Sequence, residues 1–72
     1  MIDRKKFSDR VRTLREARGL SINDLAQEIS LSKATVGHWE TGLRLPSLEV
    51  IDALADYFGV STDYLLGRTD EP

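Results

Sequence analysis

The sequence contains no cysteine, so neither a disulfide nor a thiolate-bound metal can hold the fold together. Histidine occurs once, as His38, which excludes a multi-histidine metal centre. A serine–histidine–acid triad would need that histidine in a sheltered pocket, and it falls instead in a short helical stretch. No glycine-rich phosphate loop is present. Together these absences argue against an enzyme and imply neither a cofactor nor a metal. Apolar runs are too short to cross a membrane. The charged stretch from Met1 to Lys6 is unlike the apolar heart of a signal peptide. A cytoplasmic protein is expected. Proline occurs only twice, and Pro46 stands outside the helical patterns, just before Ser47.

What is present fits one small domain, residues 1–72, with an ordered core over about 4–68 and a loose tail at 69–72. A domain this small without staples depends on well-packed, well-capped helices or on a partner subunit. Its net charge of -2 conceals an uneven distribution. Residues 1–18 hold seven basic side chains against three acidic ones, whereas residues 45–72 hold only Arg68 against six acidic ones. One end of the chain can therefore meet an anion while the other repels it.

Glycine and serine punctuate the chain. Gly19, Gly42 and Gly59 each follow a periodic stretch and precede an apolar residue, as at a helix C-terminus, and Gly67 resembles them. Ser21, Ser32, Ser47 and Ser61 each stand where an N-cap is needed, and Ser21 with Asp24 has the spacing of a capping box. Between these marks the apolar residues step by three and four. Phe7, Val11 and Leu14 predict a first helix over about 4–18. Leu25, Ala26 and Ile29 give a second over about 22–29, and Val36 and Trp39 a third over about 33–41. Leu48, Ile51, Leu54, Ala55 and Phe58 form the clearest stripe, over about 48–58, and Thr62 to Leu66 make a short fifth helix. No segment alternates as a strand does.

The second and third helices are short and joined by a tight turn, so they must cross steeply. Ala26 is expected at their closest approach. With Val36 and Trp39 turned inward, Lys33, Ala34, Gly37, His38 and Thr41 face out. That face is small or polar, with Glu40 its only nearby carboxylate. A helix entering a DNA major groove needs those properties: donors for base edges, small residues for close approach and no charge opposing phosphate. Lys33 and His38 are candidate base contacts, and Thr35 a cap-turn residue or a phosphate donor. Gly37 costs a helix about 1 kcal/mol relative to alanine, either incidentally or to leave room for a ligand.

The runs Leu14 to Ser21, Leu25-Ala26, Ser32 to Gly42, Pro46-Ser47-Leu48, Leu54-Ala55, Phe58 to Ser61 and Asp63 to Gly67 together resemble the Cro/CI-type helix-turn-helix family of phage repressors and their bacterial relatives. The resemblance covers about residues 7–69 and implies an all-α, compact five-helix bundle of the lambda-repressor-like type. Its second and third helices form the helix-turn-helix, and the third enters the major groove. It implies sequence-specific binding of double-stranded DNA as a transcriptional regulator, a repressor, acting as a dimer on a palindromic operator. It also places Ala34 against a base. Ser32, Thr35, Thr41, Arg44 and Arg15 are implied phosphate contacts, and Arg15 with Glu40 is a pair that positions the third helix. Of Arg10, Arg12 and Arg18, most are expected to be solvated, with one reaching the DNA backbone.

Val60, Tyr64, Leu65 and Leu66 crowd a short helix and are the expected dimer interface, the alternative being that Leu65 and Leu66 simply close the small core. An antirepressor protein or a further C-terminal domain would be a second partner. This sequence departs from the family pattern at Ile22, where a phosphate-touching glutamine is common, at Ser30, where glycine is common, and at Leu43, where lysine is common. The net negative charge, Ile22 and Leu43 favour the alternative of a protein-interaction module, antitoxin-like or antirepressor-binding, with weak DNA binding.

Overall fold

Local signals account for where each helix starts. The computed structural model describes residues 2–72. Its helices are α1 (Arg4–Ala17), α2 (Ile22–Glu28), α3 (Lys33–Glu40), α4 (Leu48–Phe58) and α5 (Thr62–Leu65), with no strand among the described residues. Asp3, Ser21, Ser32, Ser47 and Ser61 are the N-caps, each side chain accepting an amide of the first turn. At α2 the box is reciprocal: Asp24 N–H donates to Ser21 Oγ and Ser21 N–H to Asp24 Oδ2, both at 3.0 Å. The Ser21 amide first, and then the Ser21 hydroxyl, hold the Asp24 carboxyl below the ordinary carboxylate value.

The helix ends share one device. Leu20, Leu31, Leu43, Val60 and Arg68 N–H groups fold back onto the carbonyls of Arg15, Ala26, His38, Ala55 and Asp63, at 2.8–3.1 Å. Each is preceded by a residue of positive φ, which reverses the chain and satisfies free carbonyls of the last turn. Four of those residues are glycine; the one between α2 and α3 is Ser30, at φ 60°. A side chain in this conformation costs about 1–3 kcal/mol, which exceeds the entropic cost of glycine, about 0.5–1 kcal/mol. Ser30→Gly should therefore stabilise the domain by about 0.5–1 kcal/mol in a urea titration followed by circular dichroism.

The core sits where all five helices meet. Phe7 and Val11, Leu25 and Ala26, Val36 and Trp39, Leu54, Ala55 and Phe58, and Leu65 form one buried cluster. Ala26 is buried between α2 and α3, which pack closely, as its size requires. Phe7 meets Trp39 edge to face, with centroids 6.5 Å apart, and locks α1 to α3.

Three expectations are corrected. Leu48 is 80% exposed although it continues the α4 stripe, because it stands in the first turn, beyond the core rung that begins at Ile51. Leu65 is fully buried inside the single chain, so it closes the core and offers nothing to a dimer interface. The C-terminal segment, expected to be loose from residue 69, is tied to α1 through Arg10. The guanidinium donates to the carbonyls of Tyr64 and Thr69, reaches Asp70 at 2.7 Å and lies 4.1 Å from the Tyr64 ring centroid. Arg10 and Lys6 hold the Asp70 carboxyl below its ordinary value, chiefly through the Arg10 hydrogen bond.

Candidate nucleic-acid interface

The position of α3 is set by α1, which grips its C-terminal end. The last carbonyls of a helix have no partners of their own and carry partial negative charge. Here Ser8 Oγ donates to Trp39 O at 2.7 Å, and Arg12 Nη2 donates to Glu40 O at 2.7 Å. The Glu40 carboxylate turns back to α1, where Arg15 meets it in a fork: Nε to Oε2 at 2.7 Å and Nη2 to Oε1 at 3.0 Å. Arg15 Nη1 also donates to Leu20 O at 2.7 Å. The side chains of Arg15 and Glu40 are 12% and 5% exposed. The Glu40 hydrogen bond raises the Arg15 pKa above its already high ordinary value.

This geometry refines the roles of the α1 arginines. Arg15 has its fork engaged by Glu40 and a third donor by Leu20, so it positions α3, and its burial leaves little of it to reach phosphate. Arg12, expected to be solvated, is a second partner of Glu40, with Nε 3.5 Å from Oε1. Arg18 lies over the Tyr57 and Phe58 rings, 4.8 and 5.2 Å from their centroids, and bridges α1 to α4. Sequence reasoning missed Ser8 and Arg12. Their helical spacing from Arg15 on one side of α1 was the available signal, but their acceptors are backbone carbonyls.

With its inner face and C-terminal end held, α3 presents the rest outward. Lys33, Ala34, His38 and Thr41 are exposed, Gly37 is half-buried, and together with Ile22 of α2 they line one open depression. None of the six is acidic. Ser32 Oγ and Thr35 Oγ1 lie 2.7 Å apart at the start of α3, and Thr41 Oγ1 donates to His38 O at 3.2 Å, so all three hydroxyls are engaged at the edge of this face. Arg44 is exposed just past α3 and lines a groove with Leu31, Thr35, His38, Leu45 and Val50.

The charge around this face is sparser than the N-terminal excess suggests. Lys5 and Arg12 pair with Asp9, Lys6 and Arg10 with Asp70, and Arg15 with Glu40. Among the described residues, Arg4, Arg18, Lys33 and Arg44 are the lysines and arginines outside any ion pair. Lys33 and Arg44 stand at the two ends of the exposed α3 face.

Two short helices joined by a tight turn, the second gripped at its C-terminal end by α1 and carrying an exposed, acid-free outer face, define a helix-turn-helix domain. The helix-turn-helix family profile matches residues 11–65, and the chain belongs to that family, in its Cro/CI-type branch. It is 38% identical to the uncharacterized HTH-type transcriptional regulator YobD of Bacillus subtilis, over 92% of this chain and 59% of YobD. The cryptic phage CTXphi transcriptional repressor RstR of Vibrio cholerae is 37% identical, over 89% of this chain and 58% of RstR. Among solved structures, the restriction-modification controller protein C.AhdI of Aeromonas hydrophila superimposes with a TM-score of 0.76 at 40% identity, covering 88% of this chain and 96% of that one. The chain thus spans somewhat more than half the length of the two curated relatives. No helix among the described residues is long and apolar enough to cross a membrane.

Proposed function

We propose that this chain is the sequence-specific double-stranded DNA-binding domain of a transcriptional regulator, a repressor that works in the cytoplasm by occupying an operator. It is a binding protein rather than an enzyme. The observation that carries this reading is the exposed, acid-free outer face of α3, fixed to the scaffold by the Arg15–Glu40 fork. Lys33 and His38 donate to base edges and Ala34 meets a base. Ser32, Thr35, Thr41 and Arg44 hold phosphates on either side, the hydroxyls by turning from their present partners.

The active form is a dimer. The domain extends 28 × 23 × 20 Å, so one copy cannot reach two successive major grooves about 34–36 Å apart, whereas two copies can. Val60, Tyr64 and Leu66, all half-buried, are the remaining residues of the proposed interface. A further domain or an antirepressor protein would act on this unit. The test is selection of bound sites from random duplexes, followed by sedimentation of the complex. Lys33→Ala should cost about 1–3 kcal/mol on the selected site and relax its sequence preference. Arg44→Ala should weaken selected and random DNA alike and lower the salt slope by about one for each protomer. One chain per full-affinity site would remove the dimer.

A second reading, a protein-interaction module with weak DNA binding, is favoured by one observation: most α1 cations are engaged within the domain. Failure to enrich any duplex would select it.

A further inference from the structure

His38 is the only histidine in the sequence, and it stands where two grooves beside α3 meet. One groove runs past Ile22 and Lys33, the other past Thr35, Arg44 and Val50, and His38 lines both. The residue is exposed. Among the described residues its ring makes no ion pair and no hydrogen bond within the domain; only its carbonyl is engaged. The charged groups that line the two grooves are Lys33 of α3 itself and Arg44 of the loop before α4. From the packed neighbours, α2 contributes Ile22 and α4 contributes Val50, neither of them charged. Glu40, two residues further along α3, is turned away to Arg15. A charged imidazole here has no counter-ion among the described residues, and the phosphates of a duplex would supply one.

We infer that DNA binding takes up a proton at His38, so that the domain holds its duplex more tightly as pH falls from about 8 to about 5.5. The inference rests on the DNA-binding reading and adds a regulation to it. Histidine is the side chain whose charge ordinarily changes within that range. Neutral imidazole has one donor and one acceptor nitrogen; imidazolium has two donors and a positive charge. The groups that a duplex offers around this face, phosphate oxygens and the N7 and O6 acceptors of guanine, favour the charged form. Lys33 and Arg44 cease to oppose it once phosphates cover them. Each protomer then meets DNA with three cations on this face instead of two. A group that is easier to protonate in the complex than in the free chain strengthens binding at low pH. That gain is lost as pH rises through the titration of the complex.

The experiment uses the 72-residue chain and the duplex it selects from a random pool. Binding is followed by fluorescence anisotropy across that pH range at constant ionic strength. Affinity should fall about ten-fold for each protomer bound as pH rises, the smaller end of what one nearby opposite charge does to a titrating group. The slope of log affinity against log salt should be steeper at the acid end by about 0.9 for each protomer, for one more phosphate neutralised. His38→Gln should lose the pH dependence and show the shallow slope throughout. His38→Arg should lose it too and show the steep slope throughout. These variants also separate His38 from the N-terminal amine, which titrates near the upper end of the range. Affinity independent of pH, equal salt slopes at both ends, or a pH dependence that survives in His38→Gln overturns the inference while leaving DNA binding intact. Failure to select any duplex overturns both. The wild-type salt slopes keep the test decisive if a variant unfolds.

Discussion

Glu40→Ala should destabilise the domain by about 3–5 kcal/mol, because it leaves a buried guanidinium without its counter-charge. Arg15 would keep only the Leu20 carbonyl of its three acceptor contacts, and Arg12 would keep Glu40 O but lose the carboxylate. A domain of this size is stable by about 4–11 kcal/mol, so the variant should be partly unfolded near body temperature. Replacing the pair together, as Arg15→Met with Glu40→Leu, should cost far less, since a buried ion pair offsets most of its attraction by desolvation. A double-mutant cycle in urea should therefore show strong coupling. Additive losses would mean that the fork holds α3 no better than two independent side chains. The doubly apolar variant should still lose DNA affinity if α3 shifts on its scaffold, which separates positioning from stability.

Trp39→Ala should cost about 3–5 kcal/mol, the range for deleting a large buried aromatic side chain. Trp39 is 2% exposed and sits in the cluster where α1, α2 and α4 converge on α3. Its loss opens a cavity against Phe7 and releases the wall that keeps Val36 inward and Lys33 and His38 outward. Thermal melts followed by circular dichroism should show a Tm lowered by tens of degrees, or no cooperative transition. Trp39→Phe keeps the core filled in part and should fall between the two. A loss in Trp39→Ala no larger than that of an exposed substitution would contradict the placement of α3. Because Trp39 is the sole tryptophan, its fluorescence also reports unfolding of the wild type directly.

The helices were legible because their determinants are local. Serine caps, glycine stops and three-and-four apolar steps act within a few residues, and each helix boundary falls within about one residue of its expected place. The Arg15–Glu40 pair came through family resemblance rather than through pattern. What stayed hidden depends on distant chain segments. Arg10 finds acceptors 54 and 59 residues away, and Arg12 and Ser8 act on α3 carbonyls that no side-chain pattern reveals. A count of basic residues near the N-terminus therefore overstates the charge available to a ligand. The α4 stripe included Leu48 because periodicity reports a face without reporting where the core ends. Leu65 and Leu66 look alike in sequence; only packing shows that the first is buried and the second half-exposed.

The outer face of α3 should be the surface that meets DNA. Titrating the isotope-labelled chain with its selected duplex and following backbone amide shifts maps that surface residue by residue. The largest changes are expected at Ile22 and from Ser32 to Arg44, with the acidic outer side of α4, Glu49, Asp52 and Asp56, unmoved. Shifts centred on α4 and α5, with Lys33 to Thr41 unchanged, would contradict it.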